Sequence, residues 1–383
     1  MSRKRTIDAY FGVPKAKKPR DSSNLKLEDE PTTLKDISSH TNGDDRANGL
    51  IATANSNSPG FSTHVSYPFP ISRLPDALEI ELSGPPARDA RVIADQPDLD
   101  LWYFEPYFPR HAARQIFEFL RAELPFYRVE YDMVRGGIKT HIRTPRWTTV
   151  FGLDETARFE ANSSSSSDAS SPQYLSGRVI DAQTGKPIPV GQPDTCEASG
   201  QKRQAGYKAT PRPIPHCLDV LRRSAEEATG CCFNFCLVNY YASGADSVSF
   251  HSDDERFLGQ FPAIASFSLG ARRDFLMKHK PPKSETGKAV NNNDASKGAL
   301  KLPLGSGDML LMRGKTQANW LHAIPKRGGK NELYGGRINI TFRRALVRGG
   351  TENYYQYNVG SGPVYKWNAA CQEMKPWTEA SES

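Results

Sequence analysis

Arg337-Ile338-Asn339-Ile340-Thr341-Phe342-Arg343 alternates polar and apolar residues without a break. On an extended strand successive side chains point to opposite faces. Arg337, Asn339, Thr341 and Arg343 therefore share one side, and Ile338, Ile340 and Phe342 share the other. The apolar side must pack against a helix or a second sheet, and the polar side can then line an interior. An arginine in an interior needs an anionic partner, because an unpaired buried charge is costly. A dicarboxylate supplies two carboxylates, each held by charge-assisted, often bidentate bonds. An edge strand with its polar side in water accounts for the same alternation. Upstream, Phe233, Phe235, Leu237, Asn239 and Tyr241 fall on one face of the run 232–241, which brings an amide and a phenol to that face.

Working outward, 230–345 reads as short period-two segments without β-α-β alternation, the pattern of an all-β sandwich or jelly roll. Helices precede it. Pro109 opens one in which Ala112, Ile116, Phe119, Leu120 and Leu124 recur at helical spacing, and Pro125 stops it. A second runs from about Pro215 to Thr229 and stops at Gly230. The stretch 126–134 reads as a strand ending at Gly136-Gly137. Residues 155–205, with five consecutive serines at 163–167, read as a low-complexity insertion. Residues 21–95 are rich in Ser, Asn, Asp, Thr and Pro and read as a disordered acidic linker, with order beginning at 96. The folded domain is expected over 96–350. A C-terminal extension, 351–383, keeps Tyr and Trp and is expected to pack in part.

His251 and Asp253 are two apart in Ser249-Phe250-His251-Ser252-Asp253, so a strand points both at one ion. His322, in Trp320-Leu321-His322, is a candidate third ligand. Two imidazoles and one carboxylate on one face of a metal leave positions open, as Fe(II) oxygenases require. By itself His-x-Asp is frequent, and an exposed pair at a strand end explains it equally well.

The chain has 383 residues and a net charge of +7. The charge is uneven: +6 over 1–20, −7 over 21–204, +10 over 205–350 and −2 beyond. A basic half-domain suits a polyanion such as nucleic acid, and a solvated lysine-rich surface suits it as well. No long apolar run predicts a membrane span, and MSRKRTIDAY predicts no secretory leader. Six cysteines without paired spacing predict free thiols in a reducing compartment.

Together, FNFCLVNYY, then DSVSFHSDDERFLGQFPAIASFSLGARRDF, then TQANWLHAIPK, then RINITFR resemble the AlkB family of Fe(II)/2-oxoglutarate-dependent nucleic-acid dealkylases, nearest to its eukaryotic DNA-repair members. The resemblance implies a mainly β (α+β) fold, a double-stranded β-helix (jelly roll, cupin-like) core with N-terminal supporting helices. It implies that His251, Asp253 and His322 hold Fe(II). It implies that Asn239, Tyr241, Arg337, Asn339, Thr341 and Arg343 surround 2-oxoglutarate, with O2 as co-substrate, and that Asp254 touches the flipped base. The implied activity is oxidative demethylation of DNA bases, chiefly 1-methyladenine and 3-methylcytosine, in single strands or duplex. Formaldehyde, succinate and CO2 would be released. Arg272, Arg273, Lys278, Lys280 and Lys283 stand as candidate phosphate grips. An RNA demethylase or protein oxygenase on the same scaffold is the alternative, as is a non-catalytic nucleic-acid-binding adaptor. In the tail, Ile7, Tyr10 and Phe11 resemble the sliding-clamp-binding peptide, with Lys4 where that pattern has Gln, and 14–20 reads as a nuclear-localisation patch. The expected protein is a nuclear monomer that binds alkylated DNA and the clamp, not a membrane.

Overall fold

The computed structural model describes residues 60–135, 137–161, 175–191, 206–280, 299–328 and 336–379. Ile7, Tyr10, Phe11 and the basic patch at 14–20 lie outside them, as do the serine run and Lys283.

Among the described residues five α-helices accompany the strands: α1 (Asp76–Leu82), α2 (Arg110–Glu123), α3 (His216–Thr229), α4 (Thr316–Asn319) and α5 (Glu352–Asn358). Proline precedes the first residue of α1, α2 and α3, where a missing N–H costs nothing. Gly230 caps α3 at φ 67°, a left-handed conformation that favours glycine. On α2 the buried face is Ala112, Ala113, Ile116, Phe117 and Leu120. Phe117 rather than Phe119 takes its centre, and Phe119 is half-buried at the margin.

Among the described residues most strands form a ten-stranded and a four-stranded sheet, and three two-stranded sheets stand beside them. Across the large sheet the order is Glu373–Pro376, Val364–Asn368, Phe126–Tyr127, Trp147–Gly152, Phe235–Tyr241, Arg337–Arg343, Ile264–Gly270, Asp308–Met312, Leu101–Phe104 and Arg91–Ile93. The small sheet runs Val248–His251, Trp320–Ile324, Arg273–His279, Leu300–Leu304. All the pairings in both sheets are antiparallel. This is the mainly β jelly roll expected from the strand pattern.

Alternation decides what each face meets. Ile338, Ile340 and Phe342 join Cys236, Val238, Tyr240, Ala265 and Phe267 in one core, which the helices α1, α2 and α3 cover. Ile264, Leu310, Met312 and Tyr241 join Phe275, Met277, Leu302 and Trp320 in a second core. The large sheet is therefore buried on both faces. Gly152, at φ 102°, ends its strand where a Cβ would lie 2.2 Å from the Asn234 carbonyl oxygen, so a side chain is excluded.

Three expectations need correction. Residues 60–95 are folded rather than linker: Phe69, Ile71, Leu74, Leu78 and Leu82 are buried, and a two-stranded sheet (Phe61–Ser62 with Ile71–Ser72) precedes α1. The described parts of 155–205 include a hairpin, Ala157–Ala161 with Leu175–Asp181. Its residues Ala157 and Val179 pack on Leu153, Ile188 and Tyr207. The stretch 126–134 is two strands, Phe126–Tyr127 and Glu130–Arg135, and the second pairs in a hairpin with Ile138–Arg143. The C-terminal extension continues the large sheet through Val364–Asn368, which pairs with Phe126–Tyr127.

Candidate metal and 2-oxoglutarate site

His251 ends one strand of the small sheet and stands directly across from His322 on the next. Register alone thus brings together two residues far apart in sequence, and their ring centroids are 4.2 Å apart. Asp253 follows just past the strand end. One ligand atom from each of His251, Asp253 and His322 lies within 4.8 Å of the others.

The protonation of the three suits a cation. His251 Nδ1 donates to the Ser249 carbonyl at 2.8 Å, which leaves Nε2 as the lone-pair nitrogen. Burial pushes the His322 imidazole down to about 3, aided by His251 and opposed by Asp253. Burial lowers His251 in the same way, against the pull of Asp253. Burial alone would raise the Asp253 carboxyl, but Arg343 and the two imidazoles hold it well below the usual range. Two neutral imidazoles and an ionised carboxylate fit Fe(II).

The supports of these ligands were not foreseen from the sequence. Gln317 is fully buried and its Oε1 accepts the Asp253 backbone N–H at 2.9 Å, tying α4 to the ligand loop. Phe275 stacks on His322 at 5.2 Å. Glu255 sits beside Asp253; burial, then the Asp253 charge, push its carboxyl up to about 7. The Tyr354 hydroxyl donates to Glu255 Oε1 at 2.7 Å.

The row of cations lies on the inner face of the large sheet. Arg337 and Arg343 are buried at 1% and 2% exposure, which excludes the solvent-facing edge strand. Arg343 Nη2 donates to Asp253 Oδ2 at 2.8 Å and Nη1 to Thr341 Oγ1 at 2.8 Å. Arg337 Nη2 donates to Ser268 Oγ at 2.8 Å. Arg337 Nε and Nη1 and Arg343 Nε are buried without a hydrogen-bond partner among the described residues. Burial lowers Arg337 to about 10, while the neighbouring Tyr241 opposes the shift. Buried cationic donors without acceptors call for an anion, and a dicarboxylate fits. Asn339 Nδ2 donates to Ser266 Oγ and the Phe267 carbonyl, both at 2.8 Å, and Arg146 Nε donates to Asn239 Oδ1 at 2.9 Å. Ser266 and Ser268 share this face, opposite Thr341 and Asn339. The alternation Ser266-Phe267-Ser268 in the sequence carries the same period-two signal as Arg337–Arg343.

Asp254 is exposed and its Oδ2 accepts from Lys280 Nζ at 2.9 Å; the same ammonium donates to the Gln317 carbonyl at 2.8 Å. Of the candidate phosphate grips, Arg273 is excluded. It is buried and donates to the carbonyls of Ser243, Asp246 and Pro325. Lys278 remains exposed, its ammonium 4.2 Å from the Phe250 ring centroid.

A jelly roll with a His-Asp-His triad at the edge of one sheet and two buried, anion-seeking arginines on one strand of the other defines a 2-oxoglutarate-Fe(II) oxygenase. A family model described as the 2OG-Fe(II) oxygenase superfamily matches residues 154–343. Among curated relatives, the DNA oxidative demethylase ALKBH2 of Mus musculus is 31% identical over 221 residues, which is 55% of this chain and 89% of that protein. The alpha-ketoglutarate-dependent dioxygenase alkB homolog 3 of Rattus norvegicus is 44% identical over 159 residues, 41% of this chain and 51% of its own length. The human protein of that name is also 44% identical over 159 residues. The chain thus spans about half the length of the alkB homolog 3 relatives it matches. The chain belongs to the AlkB family of 2-oxoglutarate-Fe(II) oxygenases, whose iron and 2-oxoglutarate its residues fit.

Proposed function

We propose that this chain is an oxidative demethylase of alkylated DNA, acting on 1-methyladenine and 3-methylcytosine and releasing formaldehyde, succinate and CO2. The observation that carries the reading is the triad within 4.8 Å beside two arginines with buried, unanswered donors. Bound there, iron with 2-oxoglutarate and O2 supplies oxidation of the N-methyl C–H bond. His251, Asp253 and His322 hold the metal; Arg337 and Arg343 hold and orient the co-substrate, with Asn239, Tyr241, Asn339 and Thr341 around it. Arg343 also fixes Asp253, so the ligand and co-substrate positions are set by one side chain. A base methylated on its pairing edge pairs weakly and leaves the stack cheaply, which favours it over intact bases. Asp254 meets that base, and Lys280 is its resting partner.

DNA is favoured over RNA by the name of the mouse relative, and nucleic acid over protein by the net +10 over 205–350. The tail motif at Ile7, Tyr10 and Phe11 tethers the enzyme to a sliding clamp, and the patch at 14–20 carries it to the nucleus.

The test is mass spectrometry of a 3-methylcytosine single-stranded oligonucleotide after incubation with protein, Fe(II), ascorbate and 2-oxoglutarate. His322→Ala serves as control. Loss of one CH2 mass, absent in the control, is expected. Succinate without that loss would move the substrate to RNA, duplex or protein. Neither product from folded protein would leave a nucleic-acid-binding adaptor.

A further inference from the structure

Tyr354 lies beyond the stretch matched by the family model, in α5 of the C-terminal extension, yet it reaches the centre of the site. The Arg343 guanidinium carbon lies over its ring, 5.4 Å from the centroid. Its hydroxyl donates to Glu255 Oε1 at 2.7 Å. Phe235 meets the ring edge-to-face at 5.2 Å and Phe257 at 5.9 Å, so the ring is held by aromatic walls. The helix that carries it is pinned in turn: the Tyr355 hydroxyl donates to the Gly152 carbonyl at 2.9 Å and accepts the Arg212 N–H at 2.9 Å.

We propose that Tyr354 is a positioning residue for 2-oxoglutarate, its ring, held between Phe235 and Phe257, seating the Arg343 guanidinium. Among the described residues Arg343 has two hydrogen bonds, to Asp253 and Thr341, and its Nε has none. Those bonds constrain the plane of the guanidinium along its edge. Only a face contact restrains it along the normal, and an aromatic face attracts a cation there. The proposal rests on the reading that Arg343 holds 2-oxoglutarate, and it extends the co-substrate site into a segment outside the matched domain.

The experiment is calorimetric titration of 2-oxoglutarate into the Mn(II)-loaded full chain, which needs no DNA substrate. A failed demethylation assay on the wild type would thus count against the DNA reading alone. Tyr354→Phe keeps the ring and is expected to bind 2-oxoglutarate within about twofold of wild type. Phenylalanines bearing one, two and three ring fluorines at position 354 keep the shape and drain the negative face. Affinity is expected to fall stepwise, about three- to tenfold across the series. Mn(II) affinity and melting temperature should stay constant along it. A flat series, or one in which Mn(II) binding falls in parallel, overturns the proposal. Tyr354→Leu, which removes the face, should weaken 2-oxoglutarate at least as much as the trifluoro variant; equal binding to wild type would also overturn it.

Discussion

Arg343 and Asp253 act as one unit, because both are buried and joined at 2.8 Å. Removing one partner of a buried pair leaves an uncompensated charge, at a cost of about 3–5 kcal/mol. Asp253→Ala is therefore expected to lower the melting temperature as well as abolish metal binding, while Asp253→Asn keeps more of the fold. Thermal denaturation of both variants, with Mn(II) titration, checks this; a full-strength fold in the alanine variant would contradict it. Gln317 is a subtler case. Gln317→Leu orphans the buried Asp253 N–H, at about 1–3 kcal/mol. Loosening a ligand's support of this kind weakens metal binding by about 10–100-fold. Gln317→Glu keeps an acceptor and should retain most of the affinity, as Mn(II) electron paramagnetic resonance would measure. Gln317 was not legible in the sequence, because its partner is a backbone N–H 64 residues away.

At the scale of elements, the strands were readable and the pieces that dock on them were not. Arg337–Arg343 carries strict alternation, because it must satisfy a helix-facing core and an interior at once, while its neighbour Phe235–Tyr241 is apolar on both faces except at Asn239. His322 could be nominated but not placed until register set it across from His251. The segment 60–95 shows no sustained period. Its elements are two to seven residues long, and their apolar side chains find cover elsewhere in the chain: α1 against α2 and α3, Tyr67 at Phe151 and Phe69 at Trp377. Composition reads such a stretch as linker, since the burial is supplied by partners elsewhere in the chain. Its attachment to α3 has a titratable part. Arg73 Nη2 lies 2.8 Å from His216 Nε2, and Glu79 Oε1 lies 3.2 Å from the same nitrogen. Burial, and then Arg73, outweigh Glu79 and lower the His216 imidazole. The neutral form is thus favoured in the fold, so its contribution to stability is present above the ordinary value of about 6.5 and is lost as pH falls below it. Protection against hydrogen exchange in 60–82, taken relative to the intrinsic rate at each pH, should fall between pH 7 and 5.5, and His216→Gln should flatten that dependence. Equal pH dependence in the variant would remove His216 from the attachment.

The whole molecule depends on its C-terminal extension more than a tail normally implies. Trp147 meets Tyr365 at 4.5 Å, and the Arg121 guanidinium lies 4.0 Å over Trp367. Ending the chain at Gly350 strips these covers from the helix-facing core and removes Tyr354 from the site. The truncated protein should melt on the order of 10 °C lower and bind a hydrophobic dye, through the apolar area laid bare. A melting temperature matching the full chain would show the extension to be dispensable.

The order of strands also sets what the large sheet offers to a second copy of the chain. A sheet extended strand by strand exposes two rims, each a template on which another chain can crystallise into fibre. Here one rim is Glu373–Pro376, four residues with two charged side chains and a proline that has no N–H to offer. The other is Arg91–Ile93, three residues long. Neither gives an incoming strand more than a few rungs, so the rims of the large sheet are poor templates for a second copy.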